Sequence, residues 1–229
     1  MTRQGVTGFS LAIVIVLCAA CTVTEMDYSK TIGSSSGSEA SASRHDKKRD
    51  KQKEAAENYV QLGLGYLRKG DRQRARANLL KALERDDESA AAHNGLALLS
   101  QLEDENLLAE EHFKKAIRFE PELTRVRNNY GVFLFRQKRY EDAEKQFLIA
   151  SEDISYARRA NVFFSIGQIS KQLSKPEEAR QAWEKAIKLN PKLQGPFLEL
   201  AEVYFKAGDY PKTKRYLEHY ETLSKPSPR

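Results

Sequence analysis

Small residues recur in this chain at a fixed interval, and that interval constrains the fold more than any other feature. Ala75, Ala109 and Ala143 are 34 residues apart, as are Ala82, Ala116 and Ala150. With two residues added, the series continues at Ala179 and Ala186. A bulky residue lies inside each pair: Leu79, Phe113, Phe147 or Trp183. A period of this size marks a stack of short supersecondary units, each too small to bury its apolar face alone. Gly (12) and Pro (7) are scarce while Ala, Leu, Glu, Lys and Arg dominate, so the units are helical and an all-β sandwich is disfavoured.

The first helix of each unit carries its own signature. Leu62-Gly63 with Tyr66, Tyr130-Gly131 with Leu134, and Ile166-Gly167 fill equivalent places. Small residues such as Gly63 and Ala75 let the two helices of a unit approach, and bulky ones such as Tyr59, Tyr66 and Leu79 fill the space between them. Gly70-Asp71 and Gly208-Asp209 each read as a helix-ending glycine followed by an N-capping aspartate. Lys175-Pro176 puts a proline where a second helix starts. Pro121 and Pro191 each follow the second alanine of a pair by five residues. A weaker fifth copy has Phe197, Leu200-Ala201 and Tyr204, then Thr213, Leu217 and Tyr220 in place of small, bulky and small. The two-residue excess between the third and fourth copies falls near Ser151-Glu152-Asp153, which predicts a longer turn. This pattern resembles the tetratricopeptide repeat, a helix-turn-helix unit of 34 residues. The expected fold is an all-α solenoid of about five repeats over residues 55–222, followed by a tail at 223–229.

The head of the chain reads as an address. Arg3 precedes an apolar run from Phe9 to Ala20, and no other charged residue occurs before Glu25. The run is shorter than the roughly twenty apolar residues that cross a bilayer. A positive start and small residues at the end make residues 1–20 a signal peptide. Leu17-Cys18-Ala19-Ala20-Cys21 resembles a bacterial lipoprotein cleavage site, which implies lipidation of Cys21. On residues alone, the alternative is an ordinary signal peptide with two incidental cysteines. Cys18 and Cys21 are the chain's two cysteines, so the expected mature chain forms no disulfide within itself and holds no thiolate metal site. Thr22 stands where aspartate would be the familiar inner-membrane retention signal, so the resemblance implies an outer-membrane anchor on the periplasmic face of a Gram-negative cell. Residues 21–54 are expected to be a flexible tether and a charged lead-in. Seven serines lie between Ser29 and Ser43, and Arg44 to Glu54 is highly charged and expected to become helical near its end. A tether of about twenty residues spans about 25 Å.

Residues capable of chemistry do not assemble into a site. His45, His93, His112 and His219 show no metal-ligand spacing, and His93 sits where packing explains it. Leu62-Gly63-Leu64-Gly65 lacks the third glycine and the preceding strand of a nucleotide loop. Glu110-Glu111 and Glu177-Glu178 open second helices, where the helix dipole favours negative charge. Net charge is +6, from 38 Lys+Arg against 32 Asp+Glu, with both signs interspersed, which argues against nucleic-acid binding. The expectation is a non-enzyme with no cofactor, no metal and no small-molecule substrate.

What remains is a surface for a protein. In tetratricopeptide solenoids the first helices line the concave face, mainly through repeat positions 2, 5, 9 and 12. With Ala56 as position 1, these include Val60, Leu64 and Leu67 in the first repeat, Asn94 and Leu98 in the second, and Arg125, Asn128, Val132 and Phe135 in the third. The apolar members would form a groove for a helical or extended peptide, edged by Asn94, Arg125, Asn128 and Asn129. The competing possibility for each is packing against the neighbouring repeat. The Lys and Asn of chaperone-tail carboxylate clamps are replaced here by Val60 and Leu64.

Tyr59-Val60-Gln61-Leu62-Gly63-Leu64-Gly65-Tyr66-Leu67, Asn128-Asn129-Tyr130-Gly131 and Gln137-Lys138-Arg139-Tyr140-Glu141 carry a closer resemblance. They are similar to the type IV pilus biogenesis lipoproteins of the PilF/PilW family. That resemblance implies a pilotin, which escorts the pilus secretin to the outer membrane and promotes its multimerisation. Family members commonly have a sixth repeat, whereas five are expected here, with Lys225-Pro226-Ser227-Pro228-Arg229 following the weak fifth. The other binding role compatible with the residues is a lipid-anchored periplasmic scaffold for a machine such as cell-wall synthesis.

Overall fold

The computed structural model describes residues 36–224, with side chains from Asp46, so the signal segment, Cys21 and the last five residues lie outside it. Residues 46–224 belong to one compact unit. Ten helices make five antiparallel pairs among the described residues: α1 (Ser36–Arg68) with α2 (Arg72–Arg85), α3 (Ala90–Leu102) with α4 (Asn106–Phe119), α5 (Thr124–Arg136) with α6 (Tyr140–Glu152), α7 (Arg159–Gln172) with α8 (Pro176–Leu189), and α9 (Gly195–Lys206) with α10 (Tyr210–Ser224). No strand occurs among them.

The interval in the sequence becomes an interval in packing. Ala75, Ala82, Ala109, Ala116, Ala143, Ala150, Ala179 and Ala186 are all buried, as are Leu79, Phe113, Phe147 and Trp183 between them. Each bulky residue lies against a glycine or small residue of a first helix. A Cβ on Gly131 would fall 2.8 Å from the Phe147 ring, and one on Gly63 2.7 Å from Leu79 Cγ. Leu79 also presses on Gly95 of the next repeat, so one side chain bridges two repeats.

Every turn inside a repeat is built alike. The residue at position 15 is left-handed in all five: Gly70, Asp104, Lys138, Ser174 and Gly208. The next amide then donates back to the carbonyl five residues earlier, as from Asp71 to Tyr66 (3.0 Å) and from Arg139 to Leu134 (3.0 Å). Asp71 and Asp209 also cap their helices, accepting from the amides of Arg74 (3.0 Å) and Lys212 (3.1 Å). Pro176 opens α8, where its missing N–H costs nothing.

Two features depart from the expected organisation. First, α1 begins at Ser36, inside the segment expected to be flexible. The Ser/Ala-rich start contains no proline and is continuous with strong helix formers from Lys47 onward, so extending an existing helix costs less than nucleating one. Second, the two extra residues between the third and fourth repeats fold into a fixed turn. Asp153 accepts from Ser155 N (2.9 Å), Ser155 Oγ (2.6 Å) and Thr124 Oγ1 (2.6 Å), while Arg159 Nε donates to the Ser151 carbonyl (2.8 Å).

Candidate protein-binding face

First-helix positions 3, 7 and 10 pack on the repeat before, and position 5 packs under the repeat that follows. Val126, Tyr130 and Phe133 are buried in this way, as are Ala92, Leu96 and Leu99. Position 5 therefore corrects the groove read from the sequence. Val60 is 0% exposed and clusters with Ala56, Ala82, Ala91 and Ala92. Asn94 is 2% exposed, and Asn129 of the next repeat donates to its Oδ1 (3.0 Å). Val60 and Asn94 are thus seam residues with no free face to offer, because α3 and α5 lie over them. Asn128, at position 5 of the third repeat, is half-buried and Arg125 is exposed.

Positions 9 and 12 remain at the surface. Leu64, Leu67, Leu98, Val132 and Phe135 are each half-buried, so their inner atoms pack and their outer atoms meet water. Leu98, Val132 and Phe135 rest on the main core cluster, with Phe135 tilted against Tyr140 (centroids 5.5 Å apart). Leu64 rests on the first-repeat cluster. Recurring at the same positions of successive parallel helices, these five side chains mark one apolar face across repeats one to three.

Beyond the third repeat the same positions change character. Position 9 is Gln168 and position 12 is Lys171 in the fourth repeat. Gln168 Nε2 donates to Glu199 Oε1 (2.9 Å), and Lys171 Nζ donates to Glu199 Oε2 (2.9 Å) and Glu202 Oε2 (2.8 Å). Hydrogen bonds from Lys171 and Lys206 bring the Glu202 carboxyl down to about 2. Beside this network a cleft of about 440 Å³ opens between repeats four and five, floored by Pro176, Ala179, Trp183 and Val203. The face is therefore mainly apolar over three repeats, with Gln101 at position 12 of the second, and ionic in the fourth; in the fifth, Glu202 holds position 9 and the exposed Phe205 position 12.

Two polar constellations escaped the sequence reading, because their members come from different helices. His93 Nδ1 and His112 Nδ1 lie 3.0 Å apart across α3 and α4, with Phe119 stacked on His93. Burial lowers both imidazoles, and His93 helps to bring His112 to about 4. The other centres on Glu110, which accepts from Tyr130 OH (3.0 Å), Arg139 Nη1 (2.8 Å) and Lys114 Nζ (2.9 Å). Burial alone would raise this carboxyl; the three donors outweigh it and hold Glu110 at about 2. The network ties α4 to α5 and α6. Among the described residues, no group of three or more metal-ligating side chains occurs, and no helix is long and apolar enough to cross a membrane.

Tetratricopeptide repeat patterns match residues 60–121, 105–156 and 160–193. The type IV pilus assembly protein PilF of Pseudomonas aeruginosa is 43% identical over 173 residues, covering 76% of this chain and 68% of that protein. The chain belongs to the PilF/PilW family. The solved PilF structure superposes with a TM-score of 0.74 at 40% identity, covering 77% of this chain and 79% of the other. PilW, described as a widely conserved type IV pilus biogenesis factor, gives 0.67 at 25% identity, covering 76% and 79%. An uncharacterised Haemophilus influenzae protein is 31% identical over 146 residues, covering 64% of this chain and 82% of its own length. Membership of the PilF/PilW family supports a role in type IV pilus biogenesis, exercised through protein–protein contacts on a helical solenoid.

Proposed function

We propose that this chain is a lipid-anchored outer-membrane pilotin: it binds the type IV pilus secretin and promotes its delivery and multimerisation without catalysing a reaction. Cys21 carries the lipid, and the solenoid works on the periplasmic side of the membrane. The observation that carries the reading is the half-buried apolar face of repeats one to three, in a chain 43% identical to a pilus assembly protein. Leu64, Leu67, Leu98, Val132 and Phe135 form the floor, and the exposed Arg125 and the half-buried Asn128 stand at its edge. A secretin segment laid along it gains apolar contact from several repeats at once, and the anchor raises the local concentration of both partners.

The test uses residues at the surface of this face. Leu67→Glu combined with Val132→Glu places two charges where the partner needs apolar atoms. The expected result is near-normal helical melting with secretin multimers missing from outer-membrane fractions. Normal multimers together with a folded double variant would remove this face from the binding site.

A further inference from the structure

The fifth repeat ends the described array on a face that the other four keep covered. Position 24 is buried wherever another repeat follows: Leu79, Phe113 and Phe147 lie at 0–1% exposure, as does Trp183. In the fifth repeat that position is Leu217, 38% exposed. Position 5 follows a graded form of this rule, with Asn128 and Phe164 half-buried. Val60 and Asn94 are sealed by the next repeat, while Leu198 is 46% exposed. Phe205 at 60% and Tyr210 at 64% complete the patch. Two shallow clefts of about 360 and 450 Å³ share Phe205, Thr213 and Leu217. Large apolar side chains grouped in this way mark an interaction surface.

The start of the array is finished differently. Positions 3, 7 and 10, apolar in the second and third repeats, are Asn58, Leu62 and Gly65 in the first, with Gln61 and Lys69 beside them. Leu62 (52% exposed) and Tyr66 leave that surface partly apolar, but no large apolar side chain stands at positions 3 and 10 to meet Leu198, Phe205 and Leu217, so stacking of copies head to tail makes the poorer match. Charge along α10 points instead to like meeting like. Lys214 precedes Leu217 by three residues, and Glu218 and Glu221 follow it by one and four. All three charged groups are exposed and border the cleft. Two α10 helices crossing antiparallel at Leu217 bring each Lys214 opposite the other copy's glutamates. Parallel pairing would set like charges together. An antiparallel contact of a face with itself is isologous and closes as a two-fold dimer.

We propose that two copies of this chain pair through their fifth repeats, with Leu198, Phe205 and Leu217 buried at the centre and Lys214 facing Glu218 and Glu221 across the two-fold axis. The pairing uses α9 and α10 and leaves the apolar face of repeats one to three free, so it stands or falls separately from secretin binding.

Sedimentation equilibrium of the full chain in density-matched detergent tests it. The wild-type protein should sediment at twice the protomer mass, with the mass falling on dilution. Phe205→Glu with Leu217→Glu should give a monomer of unchanged helical content, since both side chains are exposed at the start. Glu218→Lys with Glu221→Lys should also give a monomer, and adding Lys214→Glu should restore the dimer by exchanging the signs. A wild-type monomer at the highest soluble concentration overturns the proposal. So does a folded Phe205→Glu, Leu217→Glu variant that remains dimeric, or a sign-exchanged triple variant that stays monomeric. Pili lost from the Phe205→Glu, Leu217→Glu variant with the sedimenting mass unchanged would assign the face to another protein, and would equally overturn it.

Discussion

Val60 offers the sharpest test of how the repeats are joined. It is fully buried where the first repeat meets the second, against Ala56, Ala82, Ala91 and Ala92. Val60→Ala removes two methyl-sized groups from this seam. At about 0.8 kcal/mol per buried carbon the transfer loss is about 1.6 kcal/mol. The neighbours are alanines on fixed helices and collapse poorly, so a cavity contribution brings the total to about 2–3 kcal/mol. For a folded unit of this size, about 2 kcal/mol corresponds to a fall of roughly 4–8 °C in melting temperature. Because each repeat of a solenoid leans only on its neighbours, the loss should be local. Hydrogen exchange should show α1, α2 and α3 opening more often, with α8 to α10 protected as before. An unchanged melting temperature together with weakened secretin binding would refute the reasoning and return Val60 to the partner's side.

Acid should loosen the second repeat through its histidines. Both imidazoles are lowered from 6.5, His112 to about 4, so the folded state holds fewer protons than the unfolded one. Stability is then full above about pH 6.5 and falls as the pH drops toward 4. Lys115 and Arg118 oppose protonation as well, while Glu111 favours it. Melting between pH 6.5 and 5, where carboxylates stay ionised, should decline in the wild type and decline less in His112→Gln; equal slopes would show that the pair does not titrate in this window. Lys138 holds a left-handed conformation (φ 60°) that Gly70 and Gly208 adopt freely. Relief of about 1–2 kcal/mol of strain against about 0.5–1 kcal/mol of added chain freedom makes Lys138→Gly stabilising by roughly 0.5–1 kcal/mol in urea unfolding. Cys21→Ser should leave the melting curve unchanged and release the protein from membrane fractions, whereas labelled palmitate still entering that variant would reassign the anchor.

The repeat architecture was legible because its constraints are local and periodic. Small residues at positions 8, 20 and 27 with a bulky one at 24 are written along the chain, and so is the glycine that ends a helix. The binding face was only half legible. Positions 9 and 12 do reach the surface, but position 5 is sealed at Val60 and Asn94 and half-covered at Asn128, because its neighbour is a helix more than thirty residues away, as Asn94 and Asn129 show. Contacts of that kind have no local signature. His93 read as a packing residue, which it is; that His112 stands 3.0 Å away depends on how α3 and α4 are turned. The Glu110 network escaped for the same reason, since Tyr130 and Arg139 reach it from another repeat. In the fifth repeat, Leu217 occupies the bulky position, yet Tyr216 is the residue that turns inward and stacks on Tyr204 (5.5 Å, 5°). Where no further described repeat covers position 24, α10 settles on its aromatic neighbour.

The turn at Asp153 bears on how such arrays change in length. Its two extra residues are held by hydrogen bonds from Ser155 and Thr124, and α7 and α8 still close on Trp183 as their predecessors close on Phe147. Inside a repeat the left-handed residue and its back-bonded amide tolerate no such addition, since one more residue would move every small side chain off its partner. Insertions and deletions among descendants of this sequence should therefore gather between repeats. The loop from Asp153 to Arg158, already the longest, is where new surface can be grafted without disturbing the stack.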